Sequence, residues 1–434
     1  YALFSEAAAA RKHAMRLTLT LLLTYCLSWT VQAAEFDIYQ SDYRPLQLAW
    51  MVDANVKYET EQRRLHDIVE NDLTISQSFA ALDPLSFLAR VDEALQQVDY
   101  GDWRIIGADV LALCRLTPQE AGWQAEVQVH DPFRSQLLST KIFQAADSEL
   151  RQLAHHIANH IYQTVTGIQG HFGSHILFVQ KRGKFSDLVY MDQDGANRQV
   201  IGKNFTLLLS PDWSPDGRLV ALNTYVGNRP RLELFDLHAG TRTAFGNFPG
   251  LNSTPEFSPD GRFVAAALSH TGNTEIHIYD LKLKRWRQFT SHPGIDTTPT
   301  WSPDGKWLAF TSNRNGTPQI YRKPLSGGKA ERISLEASYN TSPVWAPHGD
   351  RIAFITLKNW AYALATVRID GSDIRYLATG NRIESPAWSP NGQMLLFSAE
   401  NRGIRQVFRV PSWGGKAEAI TPTNIDASDA TWSR

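Results

Sequence analysis

The chain has 434 residues, which is long enough for two or three domains with sizeable cores. Its 43 Lys and Arg residues balance 44 Asp and Glu residues, so no single-sign field favours nucleic acid or an anionic membrane surface as a partner. The 13 Trp, 28 Gly and 21 Pro residues are typical of many short strands joined by tight turns.

The N-terminal residues predict an export signal. A positively charged front at residues 11–16 precedes an apolar run over residues 17–31. This run is shorter than the roughly 20 residues that a membrane-spanning helix needs, which favours a cleaved signal over an anchor. Ala33 and Ala34 supply small side chains, and we expect cleavage after one of them. Residues 1–34 are therefore interpreted as a signal peptide with residues upstream of the true start.

The two cysteines differ in their expected fate. Cys26 lies in the signal and is expected to be lost on cleavage. Cys114 then has no intramolecular partner in an oxidising compartment, so we expect it to be buried in a strand. No His–Asn arrangement accompanies Cys114, so the sequence does not indicate a catalytic thiol.

Residues 35–170 predict an N-terminal α+β domain with a mixed sheet. The apolar spacing at Leu65, Ile68, Val69 and Leu73 is that of a helix. In chain order, the predicted elements are a strand at 46–50, the helix around 65–73, a helix at 84–98 that begins after an N-cap at Asp83, strands at 105–116, 123–130 and 139–145, and a helix from about 147 to 165 that ends at Gly167.

Three histidines on the last of these helices raise the question of a metal site. His156 and His160 are four residues apart, with His155 beside them. The pattern is incomplete, because no HExxH sequence and no third carboxylate accompany it. We therefore expect surface or interdomain histidines and assign no metal.

The strongest signal is an internal repeat. Trp-Ser-Pro-Asp-Gly at residues 213–217 recurs, with degeneration, at 257–261, 301–305, 345–349 and 388–392, and Trp432-Ser433 repeats its first two residues. The aromatic positions are separated by 44, 44, 44, 43 and 44 residues. Each unit reads as a Pro-Asp-Gly turn and four short strands, which is one blade of a β-propeller.

The number of blades follows from how the repeat begins and ends. Residues 175–204 read as strands two to four of a blade that has no preceding motif, whereas the last repeat stops after its first strand. Joining the two completes a six-bladed ring over residues 171–434 and removes exposed sheet edges. We expect the motif aromatics to be core residues between adjacent sheets, and the motif Asp residues to be turn formers.

Together, these features resemble the TolB family of periplasmic propeller proteins. The resemblance covers the expected mature chain, and its more specific marks are the Thr-Gly-Ile-x-Gly linker at 166–170 and the opening that leads to Arg44-Pro45. It implies a mainly β fold with a six-bladed β-propeller after a small α+β domain. It also implies a connector of the Tol–Pal envelope system that is periplasmic, monomeric and not an enzyme, supports outer-membrane integrity and constriction at division, and needs no cofactor, nucleic acid or direct membrane insertion.

The resemblance further implies two partners and the residues that bind them. An N-terminal extended segment would reach the protein TolA by β-augmentation, and here it corresponds to Glu35, Phe36, Asp37, Ile38, Tyr39, Gln40, Ser41 and Asp42. The alternative is that residues 35–42 form a frayed chain terminus without a binding role.

The lipoprotein Pal would bind the loops that enter the innermost propeller strands, which colicins exploit in some bacteria. These loops span 250–254, 295–298, 339–341 and 382–384. Thr254 and Thr297 match positions implicated in the family, whereas Leu251 stands where some members carry His. The predicted contact residues are Leu251, Asn252, Ser253, Thr254, Ile295, Asp296, Thr297, Thr298, Tyr339, Asn340, Thr341, Arg382 and Glu384.

Two other functions remain as alternatives. A propeller-capped peptidase would need a G-x-S-x-G elbow and a later His, and the sequence contains no G-x-S-x-G. The second alternative is a propeller that binds a glycan or a metal ion. In the metal-binding case, Asp296, Asp426 and backbone oxygens would hold a cation in the channel.

Overall fold

In the computed structural model, which describes residues 43–433, the chain forms a five-stranded sheet with helices, followed by six four-stranded sheets. The predicted export signal and the predicted TolA-binding segment at 35–42 lie outside the described residues. None of the helices that the structure describes combines the length and apolar composition that crossing a membrane would require.

The N-terminal sheet is mixed, as predicted. The strands are β1 (Leu46–Ala54), β2 (Phe79–Ala81), β3 (Val110–Gln119), β4 (Gly122–Asp131) and β5 (Gln136–Ala145). They run in the order β2-β1-β3-β4-β5; β1 pairs in parallel with β2 and β3, and the other pairs are antiparallel. The helices are α1 (Glu59–Ile75), α2 (Val91–Ala94), α3 (Tyr100–Ile105) and α4 (Leu150–Thr166), with short 3₁₀ turns at Val56–Tyr58, Pro84–Ser86 and Asp147–Glu149.

Alternation along β3 places apolar side chains on both faces of this sheet. Ala112, Cys114 and Leu116 face the core formed with α1 and α4. Leu111 and Leu113 face a second cluster with α2 and α3. A strand with both faces covered reads as a continuous apolar run, which explains the composition of this segment. Cys114 is fully buried, as predicted.

The long helices match the sequence patterns. Helix α1 contains the predicted apolar stripe, and α4 ends at Gly167, whose φ of 73° allows the left-handed C-cap. The predicted helix at 84–98 is wrong in its extent, because only residues 91–94 of it form an α-helix, α2. Asp83 does cap the backbone N–H of Leu85, but only a single 3₁₀ turn starts there. The chain becomes extended at Phe87, whose half-buried ring packs edge-to-face on Trp103 at 5.4 Å. Tertiary packing therefore overrides the local helical pattern.

The start of the predicted strand at 105 is also wrong. Residues 100–105 form α3, which begins at the Asp99 N-cap, and Gly107 with φ of 77° turns the chain into β3. Apolar residues stand on both sides of this boundary, and in so short a helix their periodicity does not distinguish it from a strand.

The C-terminal part is a six-bladed propeller, and the predicted fold class is confirmed. Blade 1 contains β6 (His175–Arg182), β7 (Phe185–Asp192) and β8 (Gln199–Phe205). Blade 2 contains β9 (Leu208–Trp213), β10 (Leu219–Val226), β11 (Arg229–Asp236) and β12 (Thr241–Gly246). Blade 3 contains β13 (Asn252–Phe257), β14 (Phe263–Leu268), β15 (Glu275–Asp280) and β16 (Arg285–Gln288). Blade 4 contains β17 (Asp296–Trp301), β18 (Trp307–Ser312), β19 (Gln319–Pro324) and β20 (Glu331–Arg332). Blade 5 contains β21 (Asn340–Trp345), β22 (Arg351–Lys358), β23 (Ala361–Arg368) and β24 (Arg375–Gly380). Blade 6 contains β25 (Glu384–Trp388), β26 (Met394–Asn401), β27 (Ile404–Pro411) and β28 (Glu418–Ala419).

The last strand closes the ring. Strand β29 (Asp426–Trp432) pairs antiparallel with β6, from Asp426 opposite Lys181 to Trp432 opposite Ile176. It becomes the innermost strand of blade 1, which gives the sheet order β29-β6-β7-β8. The predicted joining of the two incomplete repeats is thus confirmed.

The repeat motif performs the two structural tasks expected of it. All six motif aromatics are buried and pack between neighbouring sheets; Trp301, for example, contacts side chains of blades 3 and 4. In blade 2 the Asp216 carboxylate accepts hydrogen bonds from the Ser214 hydroxyl and the Arg218 backbone N–H, which lower the pKa of Asp216. Gly217 closes the turn at φ of 70°.

The N-terminal unit contacts the propeller face that carries these turns. The Arg151 guanidinium of α4 pairs with Asp192 and Asp194 of blade 1 at 2.9 and 2.6 Å. Although burial acts to raise it, hydrogen bonds from His175 and Arg151 lower the pKa of Asp192 to about 2. The Gln77 amide donates to Lys416 O and accepts from Lys416 N in blade 6. These contacts hold the N-terminal unit against blades 1 and 6 on this face of the propeller.

Candidate functional site

The innermost strands of the six blades surround a central channel with two mouths. The loops that enter these strands lie at the mouth opposite the N-terminal unit, which we call the open mouth. The four loops predicted from the sequence are among them, and we call them the mouth loops: residues 250–254, 295–298, 339–341 and 382–384. The structure thus brings all four predicted segments together.

A ring of left-handed residues holds the backbone just inside the open mouth. One residue in each innermost strand has φ between 45° and 54°: Ser210, Thr254, Thr298, Ser342, Ser385 and Asp429. At each of these positions the register with the next strand shifts. Five of the six are followed by Pro, which has no N–H to donate to a ladder and therefore suits a bulge.

Asp429 is the exception in this ring, because it is followed by Ala430. Its carboxylate accepts hydrogen bonds from the Ser210 backbone N–H and the Ser385 hydroxyl, both at 3.3 Å. These contacts join the closing strand to blades 2 and 6. A single carboxylate therefore braces the seam of the ring at the level of the mouth loops.

Farther along the channel, side chains connect one blade to the next. Asp212 Oδ2 accepts from the backbone N–H of Phe257 at 2.7 Å, and Glu256 Oε1 accepts from the backbone N–H of Trp301 at 2.9 Å. Thr300 accepts from Trp345 N at 3.2 Å. These polar groups in the channel are thus engaged in fixing the blades relative to one another.

The channel contains two cavities of different size. The cavity at the open mouth, bounded by the left-handed ring, has a volume of about 170 Å³, and the cavity farther along, towards the N-terminal unit, has about 300 Å³. Typical small-molecule sites have volumes of roughly 300 to 1,000 Å³. The open mouth is therefore better suited to a macromolecular surface than to a small substrate.

Three of the predicted contact residues have buried side chains that shape the loops. Asn252 is fully buried, donating to Phe248 O and accepting from Phe248 N. Asp296 receives two hydrogen bonds from the Arg314 guanidinium, at 3.1 and 2.8 Å. Asn340 donates to Glu336 O at 3.0 Å. We assign these residues to holding the loop backbone.

The other predicted residues are accessible at the mouth. Ile295 is 48% exposed, and Arg382 is exposed while it pairs with Glu384 at 3.1 Å. The remaining predicted side chains are half-buried: Leu251, Ser253, Thr254, Thr297, Thr298, Tyr339 and Thr341. The surface of the open mouth thus combines apolar, hydroxyl and charged groups.

The channel-cation alternative gains no support from its two carboxylates. Asp296 is paired with Arg314, and Asp426 accepts from Arg405 at 2.8 Å. Within residues 43–433, no group of three or more His, Cys, Asp and Glu side chains is placed to hold a metal ion.

The three histidines of α4 point to separate places. His155 Nδ1 lies 2.6 Å from a carboxylate oxygen of the buried Asp72, and His160 Nε2 is 3.1 Å from the Ser139 hydroxyl. His156 is exposed. They do not form a common site.

Sequence reasoning missed two features of the open mouth. The first is the left-handed ring. Its signal in the sequence is a Ser-Pro or Thr-Pro pair, in which the Pro stands two residues before the motif aromatic of each of blades 2 to 6. The second is Trp360, which lies in the turn between β22 and β23 and is 95% exposed. Its neighbour Asn359 is a turn residue, but no sequence pattern marks the exposure of the Trp.

The comparisons with known proteins agree with this architecture. The profile of the TolB β-propeller domain matches residues 162–434, and that of the TolB amino-terminal domain matches residues 36–138. The crystal structure of TolB from Acinetobacter baumannii is similar at 27% identity and a TM-score of 0.82, covering 92% of this chain and 99% of that one.

Curated relatives are similar over part of the sequence. The Tol-Pal system protein TolB of Bordetella pertussis and that of Bordetella bronchiseptica are each 32% identical over 236 residues, or 54% of this chain. The match covers 53% of each relative, so the chain spans about half the length of the curated relatives it matches. Because the propeller profile alone covers more than half of the chain, the chain belongs to the TolB family.

Proposed function

We propose that this protein is a periplasmic connector of the Tol–Pal envelope system, which binds the lipoprotein Pal at the mouth loops and TolA through residues 35–42. In this role it supports outer-membrane integrity and envelope constriction during division. The name of the Bordetella relatives, Tol-Pal system protein TolB, supports the assignment to this system.

The observation that carries the Pal proposal is the rigid mounting of the mouth loops. The left-handed ring and the side-chain bonds between blades fix the innermost strands, and the loops extend directly from them. Interfaces built on rigid scaffolds lose little conformational entropy on binding, which favours affinity. Pal is therefore proposed to dock over the open mouth.

A binding role fits the channel better than catalysis does. Asp212 and Glu256 already accept backbone hydrogen bonds from the next blade, which gives both carboxylates a structural task. The cavity at the open mouth, with a volume of about 170 Å³, is smaller than a typical substrate site.

The TolA proposal rests on the sequence of residues 35–42 and on how the chain continues from them. Tyr43 packs against Trp413 of blade 6 with ring centroids 5.1 Å apart. Tyr43, the first described residue, therefore lies between the N-terminal unit and the propeller. Its alternating apolar and polar residues suit the addition of a strand to a sheet edge of TolA.

Pal binding is tested by titrating the mature chain with the soluble periplasmic domain of Pal in a calorimeter. We expect saturable binding that Ile295→Ala weakens, because this apolar side chain is 48% exposed at the open mouth. Leu283→Ala is the matched control, since Leu283 is similarly exposed but lies on the opposite face. Absence of binding by the unsubstituted chain would refute the Pal proposal.

TolA binding is tested with a chain that lacks residues 35–42. We expect this chain to lose TolA binding while it keeps its unfolding temperature and its affinity for Pal. Retention of TolA binding would show that another part of the protein contacts TolA. An assay for hydrolysis of peptides and esters, run on the same preparations, tests the enzymatic alternative.

A further inference from the structure

Trp360 occupies a position that folding alone does not explain. The pairing of Lys358 with Ala361 leaves Asn359 and Trp360 as a two-residue hairpin turn, with φ of 49° and 67°. Such turns favour Asn-Gly, because a side chain at positive φ is strained at the second position. The Trp360 side chain is also 95% exposed, so burial does not offset this strain.

This turn lies on the same face as the mouth loops and next to one of them. The backbone N–H of Leu357 and the hydroxyl of Thr356 both donate to Tyr339 O, at 3.3 and 3.1 Å. The rings of Tyr339 and Tyr362 meet edge-to-face with centroids 6.4 Å apart. The turn joins the second and third strands of blade 5, so it lies about 7 Å outward from the innermost strand at the usual strand spacing.

The size of a stable protein interface brings the turn within reach of the proposed partner. A protein that covers the open mouth buries about 800 Å² on each side, an area that extends well beyond a narrow channel. Tryptophan is the residue most enriched among the side chains that dominate such interfaces.

The positive charge of Lys358, at the start of this turn, indicates which groups would surround a pocket on the partner that receives Trp360. The Lys358 ammonium group is held 3.8 Å from the centroid of the Tyr376 ring. Lys358 is the residue that precedes the two-residue turn, so a positive charge accompanies the exposed indole at this hairpin and fits an apolar pocket with an acidic rim. We propose that Trp360 is an anchor of the Pal interface and inserts its indole into such a pocket on the periplasmic domain of Pal. This inference rests on the proposed function.

The test uses Trp360→Gly, because glycine suits the second position of this turn and the variant is expected to fold at least as stably as the unsubstituted protein. We expect roughly 30-fold weaker binding of soluble Pal in calorimetric titration, the loss typical of removing a dominant interface side chain. Trp360→Phe is expected to retain an intermediate affinity, and Leu283→Ala on the opposite face is expected to bind like the unsubstituted chain.

A second measurement needs no substitution. Hydroxyl-radical oxidation mapped by mass spectrometry reports the accessibility of Trp360 with and without Pal, with exposed Phe133 of the N-terminal unit as the reference. We expect Pal to protect Trp360 and to leave Phe133 unchanged. If Pal binds the unsubstituted chain and Trp360→Gly equally well, or leaves Trp360 unprotected, the anchor role is refuted while the proposed function stands. If Pal does not bind the unsubstituted chain, both are refuted.

Discussion

Trp432 and Ser174 lie 258 residues apart in the sequence, and the indole Nε1 of Trp432 donates a 2.9 Å hydrogen bond to the hydroxyl of Ser174. Next to this contact, the backbone N–H of Ser433 donates to His175 O, and that of His175 donates to the Ser433 hydroxyl. Three hydrogen bonds thus tie the last strand of the propeller to the start of its first blade. They fix the register in which β29 completes blade 1.

Substitutions at Trp432 separate the hydrogen bond from the packing. Trp432→Phe should reduce the free energy of unfolding by about 1 to 2 kcal/mol, because it removes the donor and part of the ring. Trp432→Ala should reduce it by about 3 to 5 kcal/mol, because the side chain is buried between two blades. Denaturant unfolding followed by circular dichroism measures both. Equal losses for the two variants would contradict the assigned packing role.

Ala430→Pro is expected to stabilise the propeller by about 0.5 to 1 kcal/mol, since proline restricts the unfolded chain. The other five blades already place Pro after their left-handed residue, and Ala430 follows left-handed Asp429 at the same bulge. The matched control is Ala427→Pro in the same strand. Ala427 is paired with Gln180 and fully buried, so proline there should lower the unfolding temperature. A decrease with Ala430→Pro would show that its backbone N–H is needed.

The propeller was largely predictable, because each blade repeats one physical solution at a spacing of about 44 residues. Turn chemistry at Asp216 and burial at Trp301 are local consequences of the motif, so a single sequence shows them. Closure by Trp432 followed from matching two incomplete repeats. The N-terminal unit has no repeat, and there the packing of Phe87 on Trp103 decided the conformation of a segment whose local pattern favoured a helix.

The candidate site was predictable in position and less so in the task of each side chain. Strand order alone places the mouth loops together. Whether Asp296 faces a partner or Arg314 depends on a contact between residues 18 positions apart, which spacing does not reveal. The exposure of Trp360 likewise depends on the absence of any neighbouring element over the turn among the described residues. These are tertiary properties, and they decide which of the predicted residues are exposed at the open mouth.

Cys114 should be inert towards thiol reagents in the folded protein. Burial raises the pKa of this thiol, with Asp53 and Glu126 adding to the effect, and the thiolate is the reactive form. We expect no labelling of Cys114 by iodoacetamide at about pH 8, and complete labelling once denaturant is added. Peptide mapping by mass spectrometry identifies the labelled residue. Labelling at similar rates in both conditions would show that the N-terminal core opens readily.

Asp72 should make the stability of the N-terminal unit depend on pH. Its carboxylate is fully buried, accepts from Gln193 at 3.1 Å and lies 2.6 Å from His155 Nδ1. Burial raises the pKa of Asp72 from 3.8 to about 6, against the effect of His155. A raised pKa means that the folded state binds the proton more tightly, so this contribution to stability is present at low pH and is lost as the pH rises through 6.

The variant Asp72→Asn should lack this dependence. The unsubstituted chain is expected to lose about 3 kcal/mol relative to Asp72→Asn between about pH 4 and pH 7, which is the free-energy equivalent of the pKa shift. Taking the difference between the two proteins at each pH removes the contribution of the other carboxylates, such as Asp192. Asp67→Asn, at an exposed position of the same helix α1, is the control and should follow the unsubstituted chain. A constant difference between the unsubstituted chain and Asp72→Asn over this range would mean that Asp72 has an ordinary pKa, and that its contacts with Gln193 and His155 offset the cost of burying its charge.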